Sequence, residues 1–226
     1  MPLPKALRRL TPNRIRDDPR LRALALGAGL IPPRTMHSEA EAAVLARLAA
    51  GARRVVELGV YEGSSAVVLC RALGPGSELH LVDPFVDERG SALRAGARAT
   101  PAATRRAVGR AHGAGGPRLH WHVARSQELG RSWSGGPVDL LFIDGEHSLE
   151  GCREDFEVWR EHVTEAGAIA FHDARLGHGG GAGHPGPTAV VDRLVRSGEA
   201  GWEVAEEVDS LVVARRPVQA GGDSPR

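Results

Sequence analysis

The sequence predicts an α/β protein with a Rossmann-like, doubly wound sheet that is mostly parallel, has helices on both faces and contains one antiparallel strand near the C-terminus. Short apolar segments alternate with helical patterns along the chain, which is typical of a parallel sheet covered on both sides. A glycine turn at residues 55–65, VVELGVYEGSS, joins a strand to a helix, as it does in ligand-binding α/β proteins. The length of 226 residues suits one such domain.

The N-terminal half is predicted to contain an arm followed by the first strands. Residues 1–36 form the N-terminal arm, with one short helix at 21–26. The tetrapeptide SEAE at 38–41 is a capping box, and Gly51 ends the helix that it opens. The elements predicted next are a strand at 55–58, a buried helix at 66–73, a strand at 79–82 and a mostly helical segment at 86–112, broken near Pro101.

The C-terminal half is predicted to complete the sheet. The segment VDLLFI at 138–143 is almost entirely apolar, as a central parallel strand should be. Strands are also predicted at 119–123 and 168–171, and a closing hairpin at 202–206 and 210–214. One helical face carries Leu149, Cys152, Phe156, Trp159 and Val163, and a glycine–histidine loop at 177–186 leads to a helix around 188–195. The domain therefore covers 37–216, and the tail at 217–226 has the composition of disorder.

Charge and composition restrict the partners that we expect. The chain has 29 basic and 28 acidic residues, so we predict neither a nucleic-acid nor a membrane partner. The first residues lack an apolar core of signal-peptide length and no apolar run approaches 18 residues, which predicts a cytoplasmic protein. Cys70 and Cys152 fall in apolar helical patterns, which predicts buried free thiols. The N-terminal arm is a candidate contact for a homo-oligomer.

The glycine turn favours a nucleoside ligand that carries no phosphate. A dinucleotide fingerprint would have glycine at 61 and usually at 64, where this chain has Tyr61 and Ser64. Glu62 also places a carboxylate where a pyrophosphate would lie. An NAD-dependent oxidoreductase is therefore the interpretation that the turn supports least.

Polar residues at four predicted strand ends complete this pocket, because ligands of such sheets bind at the carboxyl ends of the strands. Glu57 ends the first strand. Asp83 ends the second, 20 residues after Gly63, the usual distance for an acid that binds ribose hydroxyls. Ser126, in the sequence Arg-Ser-Gln, follows the third strand and can bond an adenine edge. Asp144 ends the fourth.

These motifs, with FIDGEHSLEGCREDFEVW and the following GAIAFHD, resemble class I S-adenosylmethionine-dependent methyltransferases. More narrowly, they are similar to the small-molecule group that includes macrolide-sugar and other antibiotic O-methyltransferases and the proteins called cephalosporin hydroxylases. The resemblance covers about residues 38–200, and the IDGxHxxExxxxDxxxW segment with its later HD is its most specific part. It implies S-adenosylmethionine as cofactor, with the methionine part at Glu57, Gly59 and Gly63, the ribose at Asp83 and the adenine near Ser126. The remaining candidates for cofactor contact are Tyr61, Ser64, Ser65 and Asp144.

Asp144, His172 and Asp173 are candidate metal ligands. They end neighbouring predicted strands, which lie about 4.8 Å apart and can share one cation. In the metal-dependent relatives that the chain resembles, the ligands are an Asp here and an acidic pair about 28 residues later, so His172 departs from the pattern. Magnesium prefers oxygen ligands, whereas imidazole favours zinc, iron or manganese. The candidate metals are magnesium and manganese. Three interpretations stay open: His172 is not a ligand, the metal is not magnesium, or no metal is bound.

His147, three residues after Asp144, is the candidate general base, since the ordinary histidine pKa of about 6.5 suits proton removal near neutral pH. The alternative is a helix-capping or supporting histidine. The predicted function is S-adenosylmethionine-dependent methyl transfer to a hydroxyl of a small-molecule acceptor, for which a sugar or natural product is the candidate. Two other functions stay open: a metal-dependent oxygenase with an iron site at His147, His172 and an Asp, and a non-catalytic cofactor-binding protein.

Overall fold

A computed structural model describes residues 18–85, 100–113, 115–178 and 183–217. The strands are β1 (Arg54–Leu58), β2 (Glu78–Val82), β3 (Arg118–His122), β4 (Val138–Ile143), β5 (Val163–Phe171), β6 (Glu203–Val208) and β7 (Leu211–Arg215). They form one sheet in the order β3-β2-β1-β4-β5-β7-β6. β1 to β5 are parallel, and β7 is antiparallel to both of its neighbours. The predicted fold is confirmed, although the antiparallel strand lies one position inside the edge formed by β6.

Capping side chains mark the start of some of the described helices. The helices are α1 (Pro19–Ala28), α2 (Glu39–Ala49), α3 (Ser64–Ala72), α4 (Thr100–Ala111), α5 (Ser126–Arg131), α6 (Leu149–Trp159) and α7 (Pro185–Val190), with a 3-10 turn at Arg160–His162 and a π-helical turn at Val191–Arg196. The predicted capping box is present, because Ser38 and Glu41 bond each other's backbone N–H groups. The side chain of Ser148 caps α6 in the same manner, by accepting from the Gly151 N–H. These caps fix where α2 and α6 approach the sheet.

Two apolar layers enclose the sheet, because alternate strand residues face opposite sides. Val55 points to the layer that contains α2 and α3, whereas its neighbour Val56 points to the layer that contains α6. Phe156 and Trp159 of α6 are completely buried in that second layer. Each buried side chain of this size contributes about 1.5–3 kcal/mol to folding, so both faces stabilise the strand ends that carry the polar residues.

One predicted boundary is wrong. Val163 does not continue the helical face of α6: it begins β5 and pairs with Val138 of β4. Val163 and Trp159 lie in the same apolar cluster. Their spacing of four residues is therefore the same as that of neighbours on one face of a helix, although a 3-10 turn separates them. Pro101 lies in the first turn of α4 as the structure describes it, where proline lacks only a donor that has no helical acceptor, and the preceding residues 86–99 of the predicted break lie outside the described residues.

The described part of the N-terminal arm packs on the domain. The helix predicted at 21–26 is α1, which contacts α4 through Ala23, Leu26, Ala103 and Ala107. Residues 1–17 of the predicted arm, 86–99 of the predicted helical segment, 179–182 of the glycine–histidine loop and 218–226 of the predicted tail lie outside the described residues.

Two further observations concern the cysteines and the lengths of the helices. Cys70 and Cys152 are free and buried, as predicted. Among the described residues, none of the helices has the length and apolar character needed to cross a membrane.

Candidate functional site

The turn after β1 requires glycine at two positions. Gly59 and Gly63 have φ angles of +86° and +87°, a conformation that is costly for residues with a side chain. A Cβ on Gly59 would lie 2.0 Å from the carbonyl oxygen of Asp144, and one on Gly63 would lie 2.8 Å from Cγ2 of Val108. The turn is therefore pressed directly against the loop that follows β4.

Asp83, at the end of β2, organises this turn. Its Oδ2 accepts hydrogen bonds from the backbone N–H groups of Val60 and Tyr61, each at 2.8 Å, and its Oδ1 accepts one from Phe85 at 2.6 Å. A carboxylate can accept about four hydrogen bonds, so Asp83 retains capacity for a ligand hydroxyl. Tyr61 has a φ of +50° and is exposed beside it.

Glu57 and Ser65 form a buried pair beneath the turn. The Ser65 hydroxyl donates to Oε1 of Glu57, whereas Oε2 is buried and has no hydrogen-bond partner. Burial raises the pKa of Glu57 well above its ordinary value, and the charges of Asp144 and Asp83 act in the same direction. A cationic group of a ligand placed here would favour the ionised form of the Glu57 carboxyl group and lower its pKa. Ser64 begins α3 directly above it.

Glu62 holds α1 to the turn. Its carboxylate accepts from Nε and Nη2 of Arg22 at 2.6 and 2.5 Å, and from the backbone N–H of Arg34 at 2.8 Å. Both side chains of the Arg22–Glu62 pair are largely buried. The sequence suggested only that Glu62 disfavours a phosphate, because its partner lies 40 positions away.

The loops after β4 and β5 bring together the four residues proposed for metal binding and base catalysis. Nδ1 of His172 lies 3.0 Å from Oδ1 of Asp144. Nε2 of His147 lies 3.5 Å from Oδ2 of Asp173 and 3.7 Å from Oδ1 of Asp144. Asp173 adopts a φ of +53°, an unusual backbone conformation that is often found at functional sites. Two carboxylates and two imidazoles therefore share one small volume beside Gly59.

His172 is a buried imidazole that faces three carboxylates. Its Nε2 faces Glu41 of α2 at 3.6 Å, and its Nδ1 faces Asp144 and Asp173. Burial acts to lower the pKa of His172, but the three carboxylates outweigh it and raise the pKa to about 12. Burial likewise opposes ionisation of Glu41, yet the nearby His172 and hydrogen bonds from Ser210 and Ser38 lower its pKa to about 2. The sequence identified Glu41 only as a capping residue, since nothing local indicates its contact with His172.

The described end of the glycine–histidine loop reaches the same site. The ring of His184 stacks on that of His147, with centroids 4.2 Å apart, and its Nε2 lies 3.8 Å from Oδ2 of Asp173. The His184 N–H donates to the Asp173 carbonyl at 2.7 Å. A Cβ on Gly186 would lie 2.1 Å from the His147 carbonyl oxygen, so this segment packs tightly against the loop after β4.

The donor atoms at this site fit a divalent cation. Two sets share Asp173, and the donor atoms of each lie within 4.8 Å of one another: Asp144, His172 and Asp173, and His147, Asp173 and His184. Oδ1 of Asp173 and Nε2 of His147 are buried without a hydrogen-bond partner. Mixed carboxylate and imidazole donors suit manganese, iron or zinc better than magnesium. A cation bonded to Nδ1 of His172 would displace the proton held there.

Ser126 lies apart from this cluster, at the start of α5. Its hydroxyl donates to Oδ1 of Asp155 at 2.5 Å, and its carbonyl accepts from the Trp159 indole N–H at 3.0 Å. Asp155 is completely buried, and burial raises its pKa to about 7. Sequence reasoning included Asp155 in the IDGxHxxExxxxDxxxW segment but did not connect it with Ser126, because the two lie on different helices.

Comparisons with known proteins identify a family and a fold for this chain. A family described as "Methyltransferase domain" matches residues 56–174. Among solved structures, the chain is similar to the O-methyltransferase TomG from Streptomyces achromogenes, involved in tomaymycin synthesis and bound to SAM (20% identity, 89% of this chain and 91% of that chain, TM-score 0.60). It is also similar to cofactor-bound Rv0187 from MTB (22%, 96% and 100%, 0.60) and to an O-methyltransferase from Bacillus cereus bound to SAH (15%, 88% and 91%, 0.55). These likenesses show a shared fold.

Proposed function

The chain belongs to the methyltransferase-domain family that matches residues 56–174, and from this membership we propose that it transfers the methyl group of S-adenosylmethionine to a hydroxyl oxygen of a small metabolite. One observation carries the proposal. The backbone of Gly59, in the proposed cofactor turn, lies against the carbonyl of Asp144. The side chain of Asp144 belongs to the cluster that also contains His147, His172 and Asp173. The cofactor pocket and the groups that can accept a proton are thus contiguous.

The proposed cofactor contacts follow the turn and the neighbouring strand ends. Glu57 offers an uncompensated buried oxygen to the cationic methionine end, and Asp83 offers its remaining lone pairs to the ribose. Ser126 is proposed near the adenine, with its hydroxyl directed by Asp155. The other proposed contacts are Gly59, Tyr61, Gly63, Ser64, Ser65 and Asp144. The complexes of TomG with SAM and of the Bacillus cereus protein with SAH support this choice of cofactor.

His147 is the proposed general base. The sulfonium already activates the methyl group, so the protein must align the acceptor oxygen and remove its proton. The approach of Asp144 raises the pKa of His147 against the opposing effect of burial, and the charge of Asp173 also raises it. These carboxylates would stabilise the imidazolium that forms when His147 takes the proton on Nε2.

A divalent metal is proposed to assist, held by Asp144, His172 and Asp173. When bound, such a cation supplies a Lewis acid that favours the alkoxide form of the acceptor. The donor chemistry favours manganese over magnesium, since imidazole takes part. When no cation is bound, a protonated His172 would supply positive charge between the same carboxylates.

The acceptor is proposed to be a hydroxyl of a sugar or natural product. TomG, to which the fold is similar, is involved in tomaymycin synthesis. A cytoplasmic location is proposed because the free thiols of Cys70 and Cys152 agree with a reducing compartment. The exposed Leu21 and Leu24 of α1 are the proposed contact for a homo-oligomer.

Calorimetric titration with S-adenosylmethionine and S-adenosylhomocysteine tests the proposal directly. We expect one binding site for each ligand, and release of S-adenosylhomocysteine when hydroxylated acceptors are added with and without Mn²⁺ or Mg²⁺. Absence of binding by both nucleosides would refute the proposed function. Binding without methyl transfer to any acceptor would instead favour a non-catalytic cofactor-binding protein.

A metal-dependent oxygenase is the second candidate, favoured by one observation. His147, Asp173 and His184 form a set of two histidines and one carboxylate with converging donor atoms, the ligand type of non-haem iron oxygenases. His184 replaces His172 in the iron site that the sequence suggested. Oxygen consumption by the iron-loaded protein, without methyl transfer, would support this function; a methyl-transferring protein that consumes no oxygen would exclude it.

A further inference from the structure

A second group of metal-ligating side chains lies far from the proposed active site. Glu78 and His80 of β2 and His120 of β3 place one carboxylate oxygen and two imidazole nitrogens within 4.8 Å of one another. Glu78 is the first residue of β2, whereas Asp83 follows its last residue, roughly 16 Å further along the strand. The group, which we call the strand-edge cluster, therefore lies towards the opposite end of the sheet.

The two histidines face each other across a pair of parallel strands. His80 and His120 are partners in the register of β2 and β3, and β3 is an edge strand of the sheet. Their rings stack with centroids 4.3 Å apart. Nε2 of His80 lies 3.7 Å and Nε2 of His120 lies 3.9 Å from the oxygens of Glu78. Neighbouring ligands of a tetrahedral zinc ion are about 3.4 Å apart, so small side-chain movements would close the site.

The nitrogens that point at Glu78 have no other partner. Nε2 of His80 and Nε2 of His120 are both buried without a hydrogen bond. Nδ1 of His80 lies 3.0 Å from Nε2 of His122. If Nδ1–H donates to His122, the lone pair of His80 is left on Nε2, the arrangement that orients metal-binding histidines in general.

The charges around the cluster permit a cation. Burial lowers the pKa of His80 to about 4, and His120 and His122 act in the same direction, so the ring is neutral at pH 7 and able to ligate. Arg54 and Arg118 both bond Glu78. The Arg118 side chain is 71% exposed and can turn into solvent, which frees the oxygen that faces His120.

We propose that the strand-edge cluster binds a zinc-like divalent transition metal ion through Glu78, His80 and His120, with water completing the coordination. The ion would link the edge strand β3 to β2 and so stabilise the sheet without taking part in methyl transfer. Imidazole and carboxylate are common zinc ligands, and a ligand that binds only the folded protein stabilises it. This site is independent of the proposed function.

Zinc titration of tag-free protein, followed by calorimetry and thermal unfolding, tests the proposal. His120→Ala removes one ligand, and His112→Ala is the control, because His112 is exposed and belongs to neither candidate metal site. We expect His120→Ala to weaken one zinc-binding event at least about tenfold, since loss of even an outer partner costs about 10–100-fold. The rise in Tm that accompanies this event should be lost in His120→Ala and kept in His112→Ala.

Imidazole nitrogen NMR locates the ion. The signals of His80 and His120 should shift on zinc addition to the wild-type protein and to His112→Ala. His120→Gln, which keeps a side chain of similar size, replaces His120→Ala should alanine impair folding. A wild-type zinc isotherm in both His120 variants, or no zinc-dependent change at His80 in the wild type, would overturn the proposal.

Discussion

At the scale of single residues, close approach of the backbone decides what the turn after β1 accepts. Gly59 and Gly51 have almost the same φ, +86° and +85°. A Cβ on Gly59 would meet the Asp144 carbonyl at 2.0 Å, whereas a Cβ on Gly51 would meet nothing within 4 Å. The two positions therefore separate the cost of the backbone conformation from the cost of the steric clash.

Alanine substitution at these glycines should have very different effects. Gly51→Ala should lower the free energy of unfolding by about 1–2 kcal/mol, the conformational cost alone. Gly59→Ala should lower it by about 4 kcal/mol or more, because the β1 turn or the Asp144 loop must move. Urea denaturation of both variants measures the difference. Equal losses at the two positions would contradict the close contact between the turn and the Asp144 loop.

A second prediction for a single residue concerns His147, the proposed general base. His147→Ala should lower the methyl-transfer rate about 10²–10⁴-fold, the usual contribution of a general base, with little change in the Kd of S-adenosylmethionine. Steady-state kinetics and calorimetry check the two quantities. His112→Ala is the control, since His112 lies beyond α4 near the Pro117 carbonyl, at the end of the sheet opposite the site. A wild-type rate in His147→Ala would leave His147 with only a supporting role.

At the scale of elements, the arm helix and the glycine turn are joined by one ion pair. Arg22 and Glu62 are 11% and 7% exposed, and α1 also packs on α4, whose Thr104 hydroxyl donates to the Tyr61 carbonyl at 2.8 Å. The turn is thus held from its outer side by α1 and α4. The position of α1 affects the shape of the proposed cofactor pocket.

Removing one partner of this pair should be strongly destabilising. We expect Glu62→Gln to lower the free energy of unfolding by about 3–5 kcal/mol, because it leaves the Arg22 charge buried and unpaired. The double variant with Arg22→Met should recover part of this loss. The exposed pair Arg153–Glu157 of α6 is the control, and Glu157→Gln should cost less than about 1 kcal/mol. Denaturation of the complete double-mutant cycle measures the coupling, which would be near zero if the pair were merely incidental.

At the scale of the whole molecule, buried ionisable groups link stability to pH. Burial raises the pKa of Asp155 from its ordinary 3.8 to about 7. The folded protein therefore keeps a proton that the unfolded chain releases above about pH 4. The contribution of Asp155 to stability falls as the pH rises from about 4 to 7 and is constant above that range.

Asp155→Asn should remove this pH dependence. The stability of the wild type relative to the variant should decline between pH 4 and pH 7 by up to roughly 4 kcal/mol, since each pKa unit corresponds to about 1.36 kcal/mol. Urea denaturation at several pH values gives the difference, with the exposed Asp192→Asn as a control. A constant difference between wild type and Asp155→Asn would show that Asp155 is ionised in the folded protein.

The sequence by itself determined the order of elements, the glycine turn and the polar strand ends, because these depend on periodicity and on residues close in the chain. It also identified Asp144, His147, His172 and Asp173 as a group, since parallel strands bring their carboxyl ends to one edge. The prediction for Val163 was wrong, because a spacing of four residues from Trp159 is found both along one helical face and across a turn that leads into a strand.

Only the tertiary structure decided the partners of the charged groups. Glu41 faces His172, Arg22 binds Glu62, and Asp155 binds Ser126. Local patterns identify Glu41 only as a capping residue, Glu62 only as a carboxylate that disfavours a phosphate, and Asp155 only as part of a motif. The glycine turn is held by Asp83, Glu62 and Asp144 from three directions. Contacts of this kind depend on how helices pack against the sheet, which brings together residues whose separation in the chain leaves no periodic signal.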